Sequence, residues 1–178
     1  MRKAIAFLIM IALGVGFYFY VGTKIQSESK PTSKFEQLME YDPDHSYPST
    51  PEEVMALYQK IIQYLYSNKV QNQEIQPLIS MQRKLFHSEL LALNPTEIQT
   101  IKVQAEIEKN KETNVKIFDI KQGSVEFVDL KQDKAKMKVI HFINGGEKQY
   151  LEYYLIKEND QWKILAWKSI DKFILPEE

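Results

Sequence analysis

The sequence predicts an α+β domain that follows one membrane-spanning helix. The chain opens with an uncharged apolar run from Ala4 to Val21. Between Thr50 and Ala105 the apolar residues recur at three- and four-residue steps, the period of an amphipathic helix. After Asn114 they alternate with polar residues, the period of a half-buried strand. Helices followed by closely spaced strands indicate helices packed on one face of an antiparallel sheet.

The N-terminal apolar run is long enough to cross a membrane. At ~1.5 Å per residue it covers about 27 Å, close to the ~30 Å hydrocarbon core, so residues 4–22 are predicted to be a transmembrane signal anchor. Arg2 and Lys3 precede it and aromatic residues cluster at its far end, which predicts that residues 1–3 are a cytoplasmic tail. The domain is therefore expected to be extracytoplasmic, on a single-pass protein of the cell membrane.

A cleaved signal peptide is the alternative interpretation of this segment. Gly14 and Gly16 give the small-x-small pattern of a cleavage site. Bulky aromatic residues follow them at once, and the apolar run exceeds the ~7 to 15 residues usual in signal peptides. A retained anchor is the favoured prediction.

Residues 23–49 are predicted to be a linker. They are rich in Ser, Pro, Lys and Asp, and such a segment buries too little apolar surface to fold alone. Phe35, Leu38 and Met39 form one apolar cluster at helical spacing. We expect a brief helix there that docks on the domain.

About three helices are predicted in the first half of the domain, which extends over residues 50–172. Thr50 as N-cap, Pro51 at the first helical position and Glu53 in a capping box begin the first helix. The second is expected to begin near Gln76, because the following proline is tolerated only in a first turn. Its apolar stripe continues through Leu91, and a third helix after Pro95 ends in the charged run EKNKETN.

A curved, four-stranded antiparallel sheet is predicted in the second half. Gly123 interrupts the first alternating run and resets its phase, as a β-bulge does. Residues 132–133, 144–146 and 159–160 are turn formers, and their short connections require antiparallel pairing. Residues 173–178 remain as a C-terminal tail. The alternating runs are VKIFDIKQ, SVEFVDL, KMKVIHFIN, QYLEYYLIK and WKILAWKSI.

Composition excludes several classes of function. Lys plus Arg number 23 and Asp plus Glu 24, so the basic excess that nucleic-acid phosphates require is missing. The absence of cysteine excludes disulfides, thiolate metal sites and a cysteine nucleophile. No spacing typical of a metal site links His45, His87 and His141, and no phosphate-binding or serine-hydrolase motif occurs. We therefore expect no cofactor, no metal and no catalytic residues.

The order of elements and the ending ENDQWKILAWKSI resemble the cone-shaped NTF2-like (cystatin-like) folds, over roughly Thr50 to Ile170. More narrowly, YPSTPEEVMALYQKIIQYLY, RKLFHSELLALNP and WKILAW resemble a family of uncharacterised membrane-anchored proteins of Gram-positive bacteria, known only as a domain of unknown function. The resemblance implies a fold and a location and carries over no catalytic residue.

Some NTF2-like relatives are enzymes, with an acid or base and hydrogen-bond donors in the pocket between sheet and helices. The candidates for those roles here are Asp119, His141, Tyr153 and Tyr154. His141 shares a strand face with Val139, so it is placed to point into a cavity, whereas Asp119 is expected to be solvated. The predicted pocket lining is Phe118, Ile120, Val139, His141 and Trp167.

Aromatic residues of the third strand suggest a second kind of site. Strand alternation separates Tyr150 and Tyr154 from Leu151, Tyr153 and Leu155. The first pair is therefore the candidate interface, on a face that meets water or a partner.

Three functional hypotheses follow. The favoured one is a non-catalytic interaction or scaffold domain outside the membrane that self-associates or binds other envelope proteins, an architecture similar to that of components of bacterial secretion and conjugation machines. The second is a small-molecule or peptide-binding pocket. The third is an enzyme of the isomerase or dehydratase type, which requires a buried Asp119 or His141 with a shifted pKa.

Overall fold

The computed structural model describes residues 33–175. The chain divides into two units, 1–33 and 34–178, and the structure described is that of the second. The predicted signal anchor, residues 4–22, lies outside the described residues. From residue 33 to residue 175, no helix combines the length and the apolar composition that a membrane span needs.

Five helices precede four strands in the described part of the chain. The helices are α1 (Lys34–Met39), α2 (Pro51–Leu65), α3 (Asn72–Lys84), α4 (Ser88–Leu93) and α5 (Thr96–Glu112). The strands are β1 (Ile117–Phe127), β2 (Lys134–Ile143), β3 (Lys148–Glu158) and β4 (Gln161–Ser169). This order confirms the predicted α+β class.

The strands form one antiparallel sheet in the order β1-β2-β3-β4, as predicted. Met137 pairs with Tyr153 and Val139 with Leu151, and all four side chains are buried in the core shared with the helices. We call this the inner face of the sheet. The register of β1 on β2 shifts between Gln122 and Val125, which confirms the bulge predicted around Gly123.

Helix α2, predicted as the first helix of the domain, begins with the predicted Thr50 N-cap. The Thr50 hydroxyl accepts a hydrogen bond from the Glu53 amide at 3.2 Å, and the Glu53 carboxylate accepts one from the Ser49 amide at 2.7 Å. The first bond satisfies an amide that a helix start leaves without a partner, and the second ties the residue before the N-cap to the first turn. The apolar stripe of α2, including Val54 and Ile61, is fully buried.

The helix predicted to begin near Gln76 is α3, and the predicted start is wrong. Helix α3 begins at Asn72, because the Glu74 carboxylate accepts a hydrogen bond from the Gln71 amide at 2.8 Å and closes the first turn there. Pro77 consequently lies inside the helix and supplies no amide to the carbonyl of Gln73.

The second apolar stripe does not form one continuous helix. It is broken at Leu85, where the backbone leaves α3 and pairs with β4. The Ile164 amide donates to the Leu85 carbonyl at 2.8 Å, and the His87 amide donates to the Ile164 carbonyl at 2.9 Å. Phe86 thus forms a parallel bridge to Ile164. The apolar residues after Phe86 belong to the separate short helix α4.

Residues 34–49, predicted as part of the linker, pack on the domain. The expected brief helix is α1, and its Leu38 is buried in the core. The Tyr47 hydroxyl donates a hydrogen bond of 2.7 Å to the Trp162 carbonyl. At the other end of the chain, the Phe173 ring lies 5.6 Å from that of Tyr150, so the C-terminal segment contacts the outer face of the sheet.

Candidate functional site

A cavity of about 630 Å³ lies between the inner face of the sheet and the helices. Three helices contribute buried polar side chains to its lining: Tyr58 from α2, Gln82 from α3 and Gln99 from α5. The sheet contributes His141 from β2 and Tyr153 from β3. The cavity is therefore a polar and aromatic pocket within an otherwise apolar core.

His141 is the most unusual group in the pocket. Its side chain is only 5% exposed, and neither ring nitrogen has a hydrogen-bond partner among the described residues. Burial lowers the pKa of His141 from 6.5 to about 4. A smaller opposing effect comes from the Gln149 side chain on the adjacent strand, which approaches the imidazole in a geometry too poor to satisfy either ring nitrogen. The imidazole is thus neutral at pH 7. A buried polar group without a partner is costly, and a ligand that supplied one would recover that cost.

An aromatic cluster forms one wall of the pocket. The Tyr58 and Tyr153 rings meet edge-to-face at 5.5 Å, and Trp167 lies 5.9 Å from Tyr153 and 6.0 Å from Phe86. Trp167 remains 41% exposed although three aromatic rings contact it. A large aromatic surface that is open inside a pocket is suited to stacking on a ligand.

Helices α3 and α5 are joined beside the pocket by a polar bridge. The Gln99 amide nitrogen donates to the Gln82 side-chain oxygen at 3.1 Å. The Arg83 guanidinium donates to the Gln99 side-chain oxygen and to the Asn94 carbonyl, both at 2.7 Å. These bonds fix two buried amide side chains in place, so the polar groups that a ligand would meet are held in position.

The interior of the pocket carries no net charge at neutral pH. Burial raises the pKa of Tyr58 to about 12 and raises that of Tyr153 well above its usual value, so both hydroxyls stay protonated. His141 is neutral for the same reason. The ionised residues of the lining, among them Lys102, Glu106 and Lys148, are exposed and lie at the mouth.

The five residues predicted to line the pocket separate into three groups. His141 and Trp167 line the cavity. Ile120 and Val139 are on the inner face but pack in the core. Phe118 is 54% exposed and contacts Phe142 at 6.2 Å, because an unpredicted register shift between Ile117 and Asp119 reverses the alternation of β1 there.

The four residues considered for acid–base roles do not come together. Asp119 pairs with Phe142, whereas its neighbour Ile120 pairs with His141. The Asp119 carboxylate and the His141 imidazole are therefore on opposite faces of the sheet. Tyr153 lines the cavity near the aromatic wall, and Tyr154 is on the outer face.

The two tyrosines of the predicted interface lie on the outer face, as strand alternation indicated. Both are half-buried. Tyr150 packs on Phe173, and the Tyr154 hydroxyl donates a short hydrogen bond to the Glu152 carboxylate, which also contacts the Lys168 ammonium at 3.2 Å. These contacts give both tyrosines a structural role within the domain.

The other two histidines do not join a cluster of metal ligands. His45 is exposed and bonds to Asp42 at 2.6 Å, and His87 caps α4. Over residues 33–175 no group of three or more His, Asp or Glu side chains is placed to hold a metal ion.

Sequence reasoning did not identify the glutamines of the pocket. Gln82 follows Ile75, Leu78 and Ile79 at helical spacing, so it is a polar residue in a buried stripe. Gln99 is likewise one of two buried residues on α5. Polar residues at core positions were the available signal, because such groups need partners or a cavity.

Together, the fold and the cavity define an α+β domain with a partly polar pocket between its sheet and its helices. The chain belongs to the family described as a domain of unknown function (DUF6715), whose model matches residues 1–167. No curated protein matches it. A solved structure from Campylobacter jejuni, named provisionally as that of an NTF2-like transpeptidase, is similar at 19% identity and a TM-score of 0.39, covering 66% of this chain and 99% of its own.

Proposed function

We propose that this protein is a non-catalytic binding domain of NTF2-like architecture that takes a small molecule or a peptide side chain into the pocket between sheet and helices. The observation that carries the proposal is His141, buried on the cavity wall with neither ring nitrogen hydrogen-bonded to any of residues 33–175. A ligand with a hydrogen-bonding group opposite this imidazole and a flat apolar part against Trp167 would match the lining.

The properties of His141 favour binding over catalysis. A general base works best when its pKa lies near the working pH. Burial lowers the pKa of His141 to about 4, which makes the imidazole a weak proton acceptor at neutral pH. Asp119, the other candidate, faces away from the pocket. The same neutral imidazole remains a good hydrogen-bond partner for an uncharged ligand.

We further propose that residues 4–22 anchor the protein in the cell membrane, with the domain outside the cytoplasm, as in an envelope protein of Gram-positive bacteria. The support is the length of the apolar run and the two basic residues before it. External protease treatment of intact cells should remove a C-terminal tag from the full chain and leave an N-terminal tag. A C-terminal tag that resists protease until the cells are lysed contradicts this orientation.

The binding proposal is tested by filling the pocket. Val103 lines the cavity from α5, and Ala105 lies two residues along the same helix with an exposed side chain that does not line it. The full-length protein would be screened against a fragment library by ligand-observed NMR. Fragments that bind should lose binding to Val103→Trp and keep it with Ala105→Trp. No binding fragment, or equal loss in both folded variants, contradicts the proposal.

A scaffold that self-associates is the second candidate function. Leu93, Ile98 and Ile101 are large apolar residues at the end of α4 and on α5, and all three are exposed. Exposed apolar groups in one region are typical of protein contact sites. Sedimentation of the full chain should then show a dimer or larger species that Ile101→Glu dissociates, with Lys109→Glu as the control on the same helix. A monomer at all concentrations contradicts self-association.

A further inference from the structure

A second cleft, separate from the pocket of His141, carries a concentration of positive charge. It has a volume of about 430 Å³ and lies between α1, the end of α2 and the start of β1. Four lysines line it: Lys34, Lys60, Lys69 and Lys116. Because the whole chain has a net charge of −1, this grouping departs from the overall balance of charge.

The cleft is a fixed part of the domain. The Gln63 side-chain nitrogen donates to the Phe118 carbonyl at 2.7 Å, and the Ile117 amide donates to the Tyr66 carbonyl at 3.0 Å. These bonds hold the start of β1 against the end of α2. Leu38, buried in the core, secures α1 on the opposite side. Lys34 and Lys60 thus extend from α1 and α2, and Lys69 and Lys116 from the segments that follow α2 and precede β1.

The positive charge of the cleft is not neutralised within the described part of the chain. Within residues 33–175, none of the four lysines forms an ion pair, and no Asp or Glu lines the cleft. The Glu74 carboxylate bonds to the Tyr64 hydroxyl at 2.9 Å and to the Gln71 amide at 2.8 Å and does not line the cleft; its one negative charge leaves the four lysines in excess. Four ammonium groups around one cleft, without an ion pair to residues 33–175, produce a positive potential that attracts anions.

Apolar groups lie among the lysines. Leu38 and Ile117 line the cleft together with Phe118, a residue that is 54% exposed. Charged groups beside an open aromatic ring suit a ligand that has an anionic part and an apolar part. A simple anion would use only the lysines.

We propose that this cleft binds an organic phosphate, with the phosphate among the four ammonium groups and an apolar part against Phe118 and Leu38. Lysine binds phosphate as a point charge, without the planar geometry that arginine imposes, so it accepts both phosphomonoesters and phosphodiesters. A phospholipid headgroup and a soluble phosphate ester share this chemistry. The site is independent of the pocket lined by His141.

The test measures binding of two probes to the full-length protein by isothermal titration calorimetry. One is a short-chain phosphatidylglycerol below its micelle concentration, and the other is glycerol 1-phosphate, with short-chain phosphatidylcholine as the neutral lipid. The variant K60Q/K116Q should bind about 25-fold more weakly, from roughly a factor of five for each ammonium group near a phosphate. Binding should also weaken as salt is raised.

The control variant K109Q/K131Q removes the same charge from two lysines that do not line the cleft. It should bind as the wild type does, and thermal unfolding would verify that both variants are folded. Binding of both probes identifies the phosphate as the recognised group, and binding of phosphatidylglycerol alone identifies a lipid; either supports the site. Absence of binding to both probes, equal binding of phosphatidylcholine, or equal weakening in the two variants overturns it.

The Val103→Trp variant separates this site from the pocket. It should lose fragment binding in the pocket and retain phosphate binding in the cleft, because Val103 does not line the cleft. Simultaneous loss of both in a folded Val103→Trp protein contradicts the independence of the cleft.

Discussion

The Tyr66 hydroxyl donates a hydrogen bond of 2.8 Å to the Glu106 carboxylate, and this bond joins the end of α2 to α5 at the mouth of the pocket. Burial raises the pKa of Tyr66, and the negative charge of Glu106 raises it further. The hydroxyl therefore remains a donor throughout the ordinary pH range. The bond therefore fixes one side of the mouth of the pocket.

We expect Tyr66→Phe to lower the free energy of unfolding by about 1 kcal/mol, the usual net contribution of one hydrogen bond. Urea denaturation would measure the loss. In a double-mutant cycle, Y66F/E106A should cost clearly less than the sum of Y66F and E106A, because each single change removes one partner of the same bond. Strict additivity would show that the two side chains do not interact in solution.

His141 is expected to make the stability of the domain dependent on pH. Its pKa is 6.5 unfolded and about 4 folded, so between these values the unfolded state binds more protons. Stability should be unaffected near pH 7 and fall as the pH drops from about 6.5 towards 4, by roughly 3 kcal/mol in total. Urea denaturation at a series of pH values would show the slope.

The matched variants for this prediction are His141→Gln and His45→Gln. H141Q should flatten the slope over this range, whereas H45Q, which changes an exposed side chain, should keep it. An unchanged slope in H141Q would mean that another group causes the pH dependence.

The N-cap of α2 gives a direct test of the helix start. Thr50→Ala removes the acceptor for the Glu53 amide and should lower the free energy of unfolding by about 1 kcal/mol. Thr50→Ser keeps an acceptor at the same position and should retain most of the stability. Equal losses in the two variants would assign the effect to the methyl group of Thr50.

The two outer-face tyrosines should differ in their response to losing the hydroxyl. Tyr154→Phe removes the donor to the Glu152 carboxylate and should cost about 1 kcal/mol of unfolding free energy. Tyr150→Phe should change it little, because its ring packs on Phe173 and its hydroxyl has no hydrogen bond to residues 33–175. Thermal unfolding of the two variants, side by side, measures the difference; equal effects would contradict it.

The sheet was predictable because its signals are local. Alternation placed Tyr153 and Leu155 on the inner face and Tyr154 on the outer face, and Gly123 marked a bulge. A single apolar run cannot reveal a second bulge that contains no glycine. The shift beside Phe118 therefore moved that residue out of the predicted pocket.

The helix bounds were predicted wrongly because they depend on contacts that the apolar pattern of the segment does not show. Residues 75–91 carry one apolar stripe, yet the chain leaves the helix at Leu85 because its backbone bonds to Ile164, 79 residues later. Pro77 suggested a later helix start, but the bond from the Gln71 amide to Glu74 fixed an earlier one. The pocket depends in the same way on side chains from α2, α3 and α5 that only the folded chain brings together.

The backbone bonds at Ile164 also affect how the domain behaves among other molecules. β4 is an edge strand of the sheet. An edge strand can pair with a strand from another chain, which leads to strand exchange or fibril growth. On this edge the Ile164 amide already donates to the Leu85 carbonyl, and the Ile164 carbonyl already accepts from the His87 amide. The chain thereby shields the middle of its own last strand against pairing with a strand of another molecule.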